Sequence, residues 1–192
     1  MFRQRTFVGL DVHARSAVGH ALDEHTGEVW QQLLPTDPPG IWGWLESLPQ
    51  PVKVTYEAGP TGYGLARFLS DRGVVCPVAA PSKLTRAAGN RVKTDAKDAE
   101  HLCRLLRLDE IVEVIVPDPD QEAARDLVRA REDVRGDLMR ARHRASKLLL
   151  RNGIVYPGSK NWTATHQRWL QQQRFDAPPR QLAFEDAVEA VL

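Results

Sequence analysis

Four carboxylates occupy positions where an acidic side chain needs a physical reason. Asp11 lies inside an apolar segment that is typical of a buried strand, where an unpaired carboxylate is costly. Glu57 ends another apolar segment, while Asp95 and Asp98 are three residues apart and therefore share one face of a helix. Such hard oxygen ligands suit Mg²⁺ or Mn²⁺, and a pair of these ions can stabilise the attacking and leaving oxygens of a phosphodiester displacement.

Each carboxylate also has a simpler interpretation. Asp11 could pair with Arg15, and Glu57 could cap the helix that follows it. The two remaining acids could stabilise the positive end of a helix dipole. Taken together, the positions of the four carboxylates favour a common site, because an RNase H-like core brings together carboxylates from its first strand, its fourth strand and a later helix.

The elements that would position these residues follow from hydropathy and turn signals. Three strand-like segments separated by short turns predict an antiparallel meander, and the strands that follow alternate with helices, which predicts parallel pairing. We predict strands over Thr6–Val12, Ser16–Leu22, Glu28–Leu34, Val52–Tyr56 and Val74–Val78, and helices from Pro38, over Gly62–Arg72 and over Asp95–Leu108. The fold class predicted is therefore α/β.

A long helix is predicted from Gln121 to Leu150, with apolar residues spaced alternately by three and four. This spacing is the heptad seam of a coiled coil, interrupted by Arg131 at one core position. The alternative is a helix that packs on its own domain. The seam residues are Ala124, Leu127, Arg131, Val134, Leu138, Ala141, Ala145 and Leu148.

Charge is distributed unevenly, although the net charge of the 192 residues is only +1. Residues 1–60 hold four Lys/Arg and seven Asp/Glu, whereas residues 138–175 hold eight Lys/Arg and no acid. A one-signed stretch attracts polyanions, although a solvated helix face has the same composition. The apolar runs are too short to span a membrane, and two cysteines make no disulfide framework, so we expect a reduced, cytoplasmic protein.

Three segments resemble the signatures of the DEDD transposases, which are bridge-RNA-guided insertion-sequence recombinases with a RuvC-like N-terminal domain. The segments are Gly9–His13 (GLDVH), Tyr56–Gly62 (YEAGPTG) and Lys93–Ala99 (KTDAKDA), in that order. The resemblance implies that Asp11, Glu57, Asp95 and Asp98 form an acidic tetrad that binds Mg²⁺ or Mn²⁺. It also implies a RuvC-like domain over residues 1–118, followed by a helical, coiled-coil extension over 119–192.

The resemblance further implies three kinds of partner: DNA, a structured guide RNA, and other copies of the chain in a dimer or tetramer formed through the long helix. We expect nucleic acid to contact a basic connector and the basic part of that helix: Lys83, Arg86, Arg91, Lys93, Arg140, Arg144, Lys147 and Arg151.

One departure from the family concerns its C-terminal domain, which carries a nucleophilic serine. Nothing after Pro157 resembles that domain, and Ser159 lies in a polar stretch, so we assign no serine nucleophile and expect the chain to stop before it. The leading function is DNA transposition or recombination. Alternatives are a stand-alone RuvC-type nuclease for branched DNA and a non-catalytic nucleic-acid-binding dimerisation module.

Overall fold

The computed structural model describes residues 4–84 and 94–191. The chain divides into two compact units, Met1–Pro117 and Asp118–Leu192. Among the described residues, no helix is both long enough and apolar enough to cross a bilayer.

The first unit is built on a mixed five-stranded sheet in the order β3-β2-β1-β4-β5. Strand β1 pairs antiparallel with β2 and parallel with β4, so it lies at the centre. The predicted α/β fold, an RNase H/RuvC-like sheet with flanking helices, is confirmed. The strands are β1 Thr6–Val12, β2 Ala17–Asp23, β3 Val29–Leu34, β4 Val52–Glu57 and β5 Val78–Ala79, and the helices are α1 Pro38–Ser47, α2 Gly64–Ser70 and α3 Asp95–Arg107.

The last strand is shorter than the sequence predicts. The predicted segment Val74–Val78 forms only an isolated bridge from Val75 to Lys53, and regular pairing begins at Val78. Pro77 lies between them and has no N–H to donate to a neighbouring strand. Its carbonyl instead accepts a hydrogen bond from the hydroxyl of Thr55, at 2.7 Å.

The two faces of the sheet are covered differently. Alternate residues of β1 point to opposite faces. Val8 and Leu10 are fully buried in the larger core, together with Leu45 of α1 and Leu69 of α2. Phe7 points the other way and packs with residues of α3 in a smaller cluster.

Helix α3 lies unusually close to β1, and Gly9 permits this approach. A Cβ atom at Gly9 would be 2.1 Å from the carbonyl oxygen of Ala99 and 2.4 Å from the amide nitrogen of Cys103. The thiol of Cys103 donates to the carbonyl of Phe7 at 3.2 Å, two residues earlier on the strand. The beginning of α3 therefore lies toward the end of β1, where Asp11 is found.

The second unit contains a long helix and two shorter ones, α4 Pro119–Arg151, α5 Ala164–Gln172 and α6 Pro178–Glu189. The Asp118 side chain caps α4 by accepting from the amide of Gln121 at 2.7 Å. The helix ends at Asn152, followed by Gly153 with a φ of 71°, a backbone conformation that glycine adopts without strain.

The predicted heptad seam of α4 has two different environments. Its C-terminal part is buried within the unit: Ala145 lies in a core cluster with Leu170 of α5 and Phe184 of α6. Its N-terminal part is exposed, with Leu127 at 74% and Val134 at 69% of their full accessibility. The same apolar periodicity therefore forms part of the core at the C-terminal end of α4 and an exposed apolar stripe at its N-terminal end.

Gly9→Ala should destabilise the first unit by about 1–3 kcal/mol, because the added methyl group meets backbone atoms that cannot rotate away. Gly43→Ala is the matched control: a Cβ there meets no atom within 4 Å, and alanine stabilises a helix interior by ~0.5–1 kcal/mol. Urea unfolding of the two variants measures the difference. Equal midpoints would contradict the close approach of α3 to β1.

Candidate metal site

Asp11 lies near the end of β1 on the face that α3 covers, because it follows Gly9 by two residues. Its side chain retains only 15% of its accessibility. Parallel pairing of Leu10 with Tyr56 sets the end of β4 beside it. The central strand thus delivers a mostly buried carboxylate to the end of the sheet where α3 begins.

Three side chains converge at this end of the sheet. The Nε2 atom of His13 lies 3.1 Å from Oδ2 of Asp11 and 3.7 Å from Oδ1 of Asp95. One potential ligand atom from each of the three residues lies within 4.8 Å of the others. Two carboxylates and one imidazole are a donor set that suits a divalent metal ion.

His13 enters the site because the hairpin between β1 and β2 continues past the end of the strand. The amide of His13 donates to the carbonyl of Ser16 at 2.9 Å. This bond fixes the backbone of His13 beyond the end of β1, where its ring reaches Asp11. In the sequence, the signal for this contact is the spacing of two residues between Asp11 and His13, which would place both on one face of a strand. The hydropathy pattern alone does not show whether the strand continues to residue 13.

The other two predicted carboxylates occupy the same region with less direct contact. Asp98 is half-buried on α3 and close enough to Asp11 to affect its ionisation. Glu57 follows Tyr56 on the strand beside β1, so strand alternation places it on the α3 face, with its side chain exposed. Among the described residues, the group within 4.8 Å contains Asp11, His13 and Asp95, and leaves Glu57 and Asp98 outside.

Asp11 has a raised pKa, and the causes describe its surroundings. Burial has the largest effect and raises the pKa, since it disfavours the charged form. The charge and hydrogen bond of His13 oppose this, while the negative charges of Asp95 and Asp98 raise the pKa further. The negative charge of ionised Asp11 is therefore only partly offset by its surroundings, and a bound cation would stabilise the ionised form.

The helix dipole accounts for part of this arrangement. Asp95 and Asp98 lie in the first turn of α3, and Thr94 caps the helix by accepting from the amide of Lys97 at 3.4 Å. Acids at this end of a helix are stabilising on their own. Asp11 belongs to a strand, so the dipole does not explain why a third carboxylate lies at the same point.

The predicted nucleic-acid contacts lie elsewhere in the chain. Lys83 ends a single 3-10 turn, Pro81–Lys83. Arg86, Arg91 and Lys93 lie outside the described residues. The remaining residues are on α4: Arg140, Arg144, Lys147 and Arg151.

Fold and site together define a class. A mixed sheet of this order, with carboxylates where the central strand ends against a later helix, is the framework of RNase H-like proteins. A transposase family model, the DEDD transposases of the IS110 type, matches residues 8–153. The chain belongs to this family, as its resemblance to the family signatures predicts.

Two relatives have been given names that agree with this assignment. A putative transposase, y4qE, from Sinorhizobium fredii is 42% identical over 98% of this chain and 50% of its own length. The transposase for insertion sequence element IS1533 from Leptospira borgpetersenii is 35% identical over 96% of this chain and 55% of its own length. The chain thus spans about half the length of these relatives.

Without metal, Asp11→Asn should become increasingly stabilising relative to wild type as the pH rises from below 3.8 to neutrality. The raised pKa means that the native wild type binds its proton more tightly than the unfolded chain, so ionisation lowers wild-type stability across this window. Asparagine cannot ionise and avoids the loss. Urea unfolding at several pH values, in EDTA, measures the difference.

Glu46→Gln, an exposed carboxylate change on α1, is the control and should show no such trend. A difference between Asp11→Asn and wild type that stays constant with pH would exclude an unfavourable ionised Asp11.

Proposed function

We propose that this chain is the N-terminal, metal-binding and nucleic-acid-handling part of a DNA transposase that cleaves and exchanges DNA strands. Residues 1–118 form its RuvC-like domain, and residues 119–192 form a helical extension. The observation that carries the proposal is the convergence of Asp11, His13 and Asp95 at the end of the central strand. The names of the relatives favour transposition over a stand-alone nuclease.

In this proposal the tetrad Asp11, Glu57, Asp95 and Asp98 holds Mg²⁺ or Mn²⁺. The donor set fits, because carboxylate oxygens are the preferred ligands of both ions and Asp11 lacks a full positive partner. When bound, the metal would polarise a scissile phosphate. The chain's own residues fix the ligand positions: β1 and β4 carry two carboxylates to one end of the sheet, and the first turn of α3 adds two.

His13 gives the site a nitrogen donor in addition to its oxygens. Imidazole is a better ligand for transition metals than for Mg²⁺. The distances of 3.1 Å to Asp11 and 3.7 Å to Asp95 place it where it can reach the same ion. We infer that His13 biases the site toward Mn²⁺ over Mg²⁺.

Basic residues of both parts of the chain would bind the proposed partners. The basic residues of the connector, in residues 1–118, and of α4, in the extension, contact DNA and a structured guide RNA, since one-signed stretches attract polyanions. The exposed stripe on the N-terminal part of α4 joins two copies of the chain. Leu127 and Val134 lie seven residues apart on this stripe, with Arg131 between them, which is the spacing of a coiled-coil seam.

Calorimetric titration with Mn²⁺ should show binding to wild type that Asp11→Ala and Asp98→Ala each largely remove. His13→Ala should weaken Mn²⁺ binding and should affect Mg²⁺ binding less, because it removes the nitrogen donor that Mn²⁺ prefers more than Mg²⁺ does. In the full-length transposase, Asp11→Ala should abolish strand exchange between donor and target DNA, because the site can no longer hold its metal.

Asp71→Ala, at an exposed acid after α2, is the control and should leave metal affinity and exchange unchanged. Metal affinities that are equal in wild type and in both tetrad variants would rule out the metal site. Unimpaired exchange by Asp11→Ala would rule out its role in the reaction.

Sedimentation velocity should show a dimer that the double change Leu127→Asp with Val134→Asp converts to monomer, because four charges would enter the seam of each dimer. The control is Val155→Asp with Leu182→Asp, two apolar residues exposed at 70% and 61% away from the seam. It should remain dimeric. A wild-type chain that is monomeric at high concentration, or a dimer that survives the seam changes, would refute this interface.

A further inference from the structure

A groove of about 320 Å³ runs between α4 and α6 in the second unit. One wall is a stripe of α4 and the other is formed by two small side chains of α6. The stripe is strongly basic, and the lining includes no acid. The lining residues are His143, Arg144, Lys147, Leu148, Arg151, Ala183 and Ala187.

The cations of α4 differ sharply along the helix in how they are compensated. Two arginines in its earlier turns pair with acids three residues away: Arg129 lies 3.6 Å from Asp126, and Arg135 lies 3.4 Å from Glu132. Arg140 pairs in the same way with Asp137. Within the described part of the chain, no carboxylate lies within 4.0 Å of the basic groups of Arg144, Lys147 or Arg151.

Arg144, Lys147 and Arg151 share one stripe, since they are spaced by three and four residues. Like charges at this spacing repel one another and destabilise a helix. Here they also line a concave surface, where a single anionic ligand can contact all of them. An anion in the groove would therefore relieve this repulsion.

We propose that the groove between α4 and α6 binds the phosphate backbone of a single nucleic-acid strand. The proposal rests on the proposed function, which makes nucleic acid the partner, and it narrows the contact to Arg144, Lys147 and Arg151. Arg140 does not line this groove and pairs with Asp137. Seven residues of helix separate Arg144 from Arg151, about 10 Å along the axis, so the stripe is long enough to contact successive phosphates.

The size of the groove favours one strand over a duplex. Its volume is at the low end of the range for small-ligand sites, which is roughly 300–1,000 Å³. The small side chains of Ala183 and Ala187 leave it open on the α6 side. The lining offers cations and methyl groups, so it recognises the backbone and not the base sequence.

The test is fluorescence anisotropy of a labelled single-stranded oligonucleotide with the whole chain over a range of salt concentrations. Each phosphate contact with a single strand contributes about −0.7 to the slope of log affinity against log salt. Changing Arg144, Lys147 and Arg151 to Ala should therefore flatten the slope by about 2 and weaken binding. Ala183→Glu, which adds an acid at an exposed lining position and removes no cation, should also weaken it.

The matched control changes Arg125, Arg129 and Arg135 to Ala, which removes the same charge from the same helix at positions outside the groove and off the seam. The control variant should change the slope of log affinity against log salt by less than the ~0.7 that one phosphate contact contributes. Equal flattening in both triple variants would overturn the proposal, since charge alone would then explain binding. A wild-type slope in the groove variant would also overturn it, while leaving nucleic-acid binding elsewhere intact. Failure of wild type to bind any strand would remove the proposed function as well.

Discussion

The close approach of α3 to β1 is the constraint on which the candidate site depends. At Gly9 the helix backbone lies where a side chain would otherwise be, so the strand and the helix are held at a fixed distance. That distance brings the first turn of α3 to Asp11, whose pKa is raised by burial and further by the charges of Asp95 and Asp98. The acids on α3 are favoured by their own helix, whereas Asp11 is disfavoured by burial. The site therefore combines Asp11, whose ionised form is unfavourable, with Asp95 and Asp98, which the helix dipole stabilises. A cation bound at this point would favour the ionised form of all three carboxylates.

Most of the fold follows from local patterns in the sequence. The antiparallel meander, the parallel fourth strand and the two long helices were predictable because apolar periodicity and turn signals mark them. The fifth strand was predicted too long. Its apolar residues have the right composition, but Pro77 removes a donor, and backbone pairing at an edge depends on hydrogen bonds that composition does not report.

The site and the seam show where sequence patterns stop being sufficient. The proximity of Asp11 and Asp95 could be predicted from the strand and the helix that carry them. The contact of His13 with Asp11 depends instead on a backbone hydrogen bond to Ser16 across the hairpin. The heptad spacing of α4 is uniform from Ala124 to Leu148, yet only its later part is buried within the unit. Periodicity records which face is apolar and not which surface covers it. Uncompensated charge is likewise a property of the folded chain, because it depends on the side-chain geometry of each pair.

The strand register has a consequence for how this chain can change in length. Asp11 faces α3 because it follows Gly9 by two residues, and Leu10 between them faces the larger core. One residue inserted between Gly9 and Asp11 would turn the carboxylate into that apolar core and leave α3 facing the wrong side chain. Insertions in the β2–β3 turn at Gly27, where a Cβ would meet nothing within 4 Å, would leave the register of β1 intact. Tolerance of insertion and deletion is therefore set by distance from the central strand, and the number of residues between Gly9 and Asp11 cannot change without moving the carboxylate to the other face of the sheet.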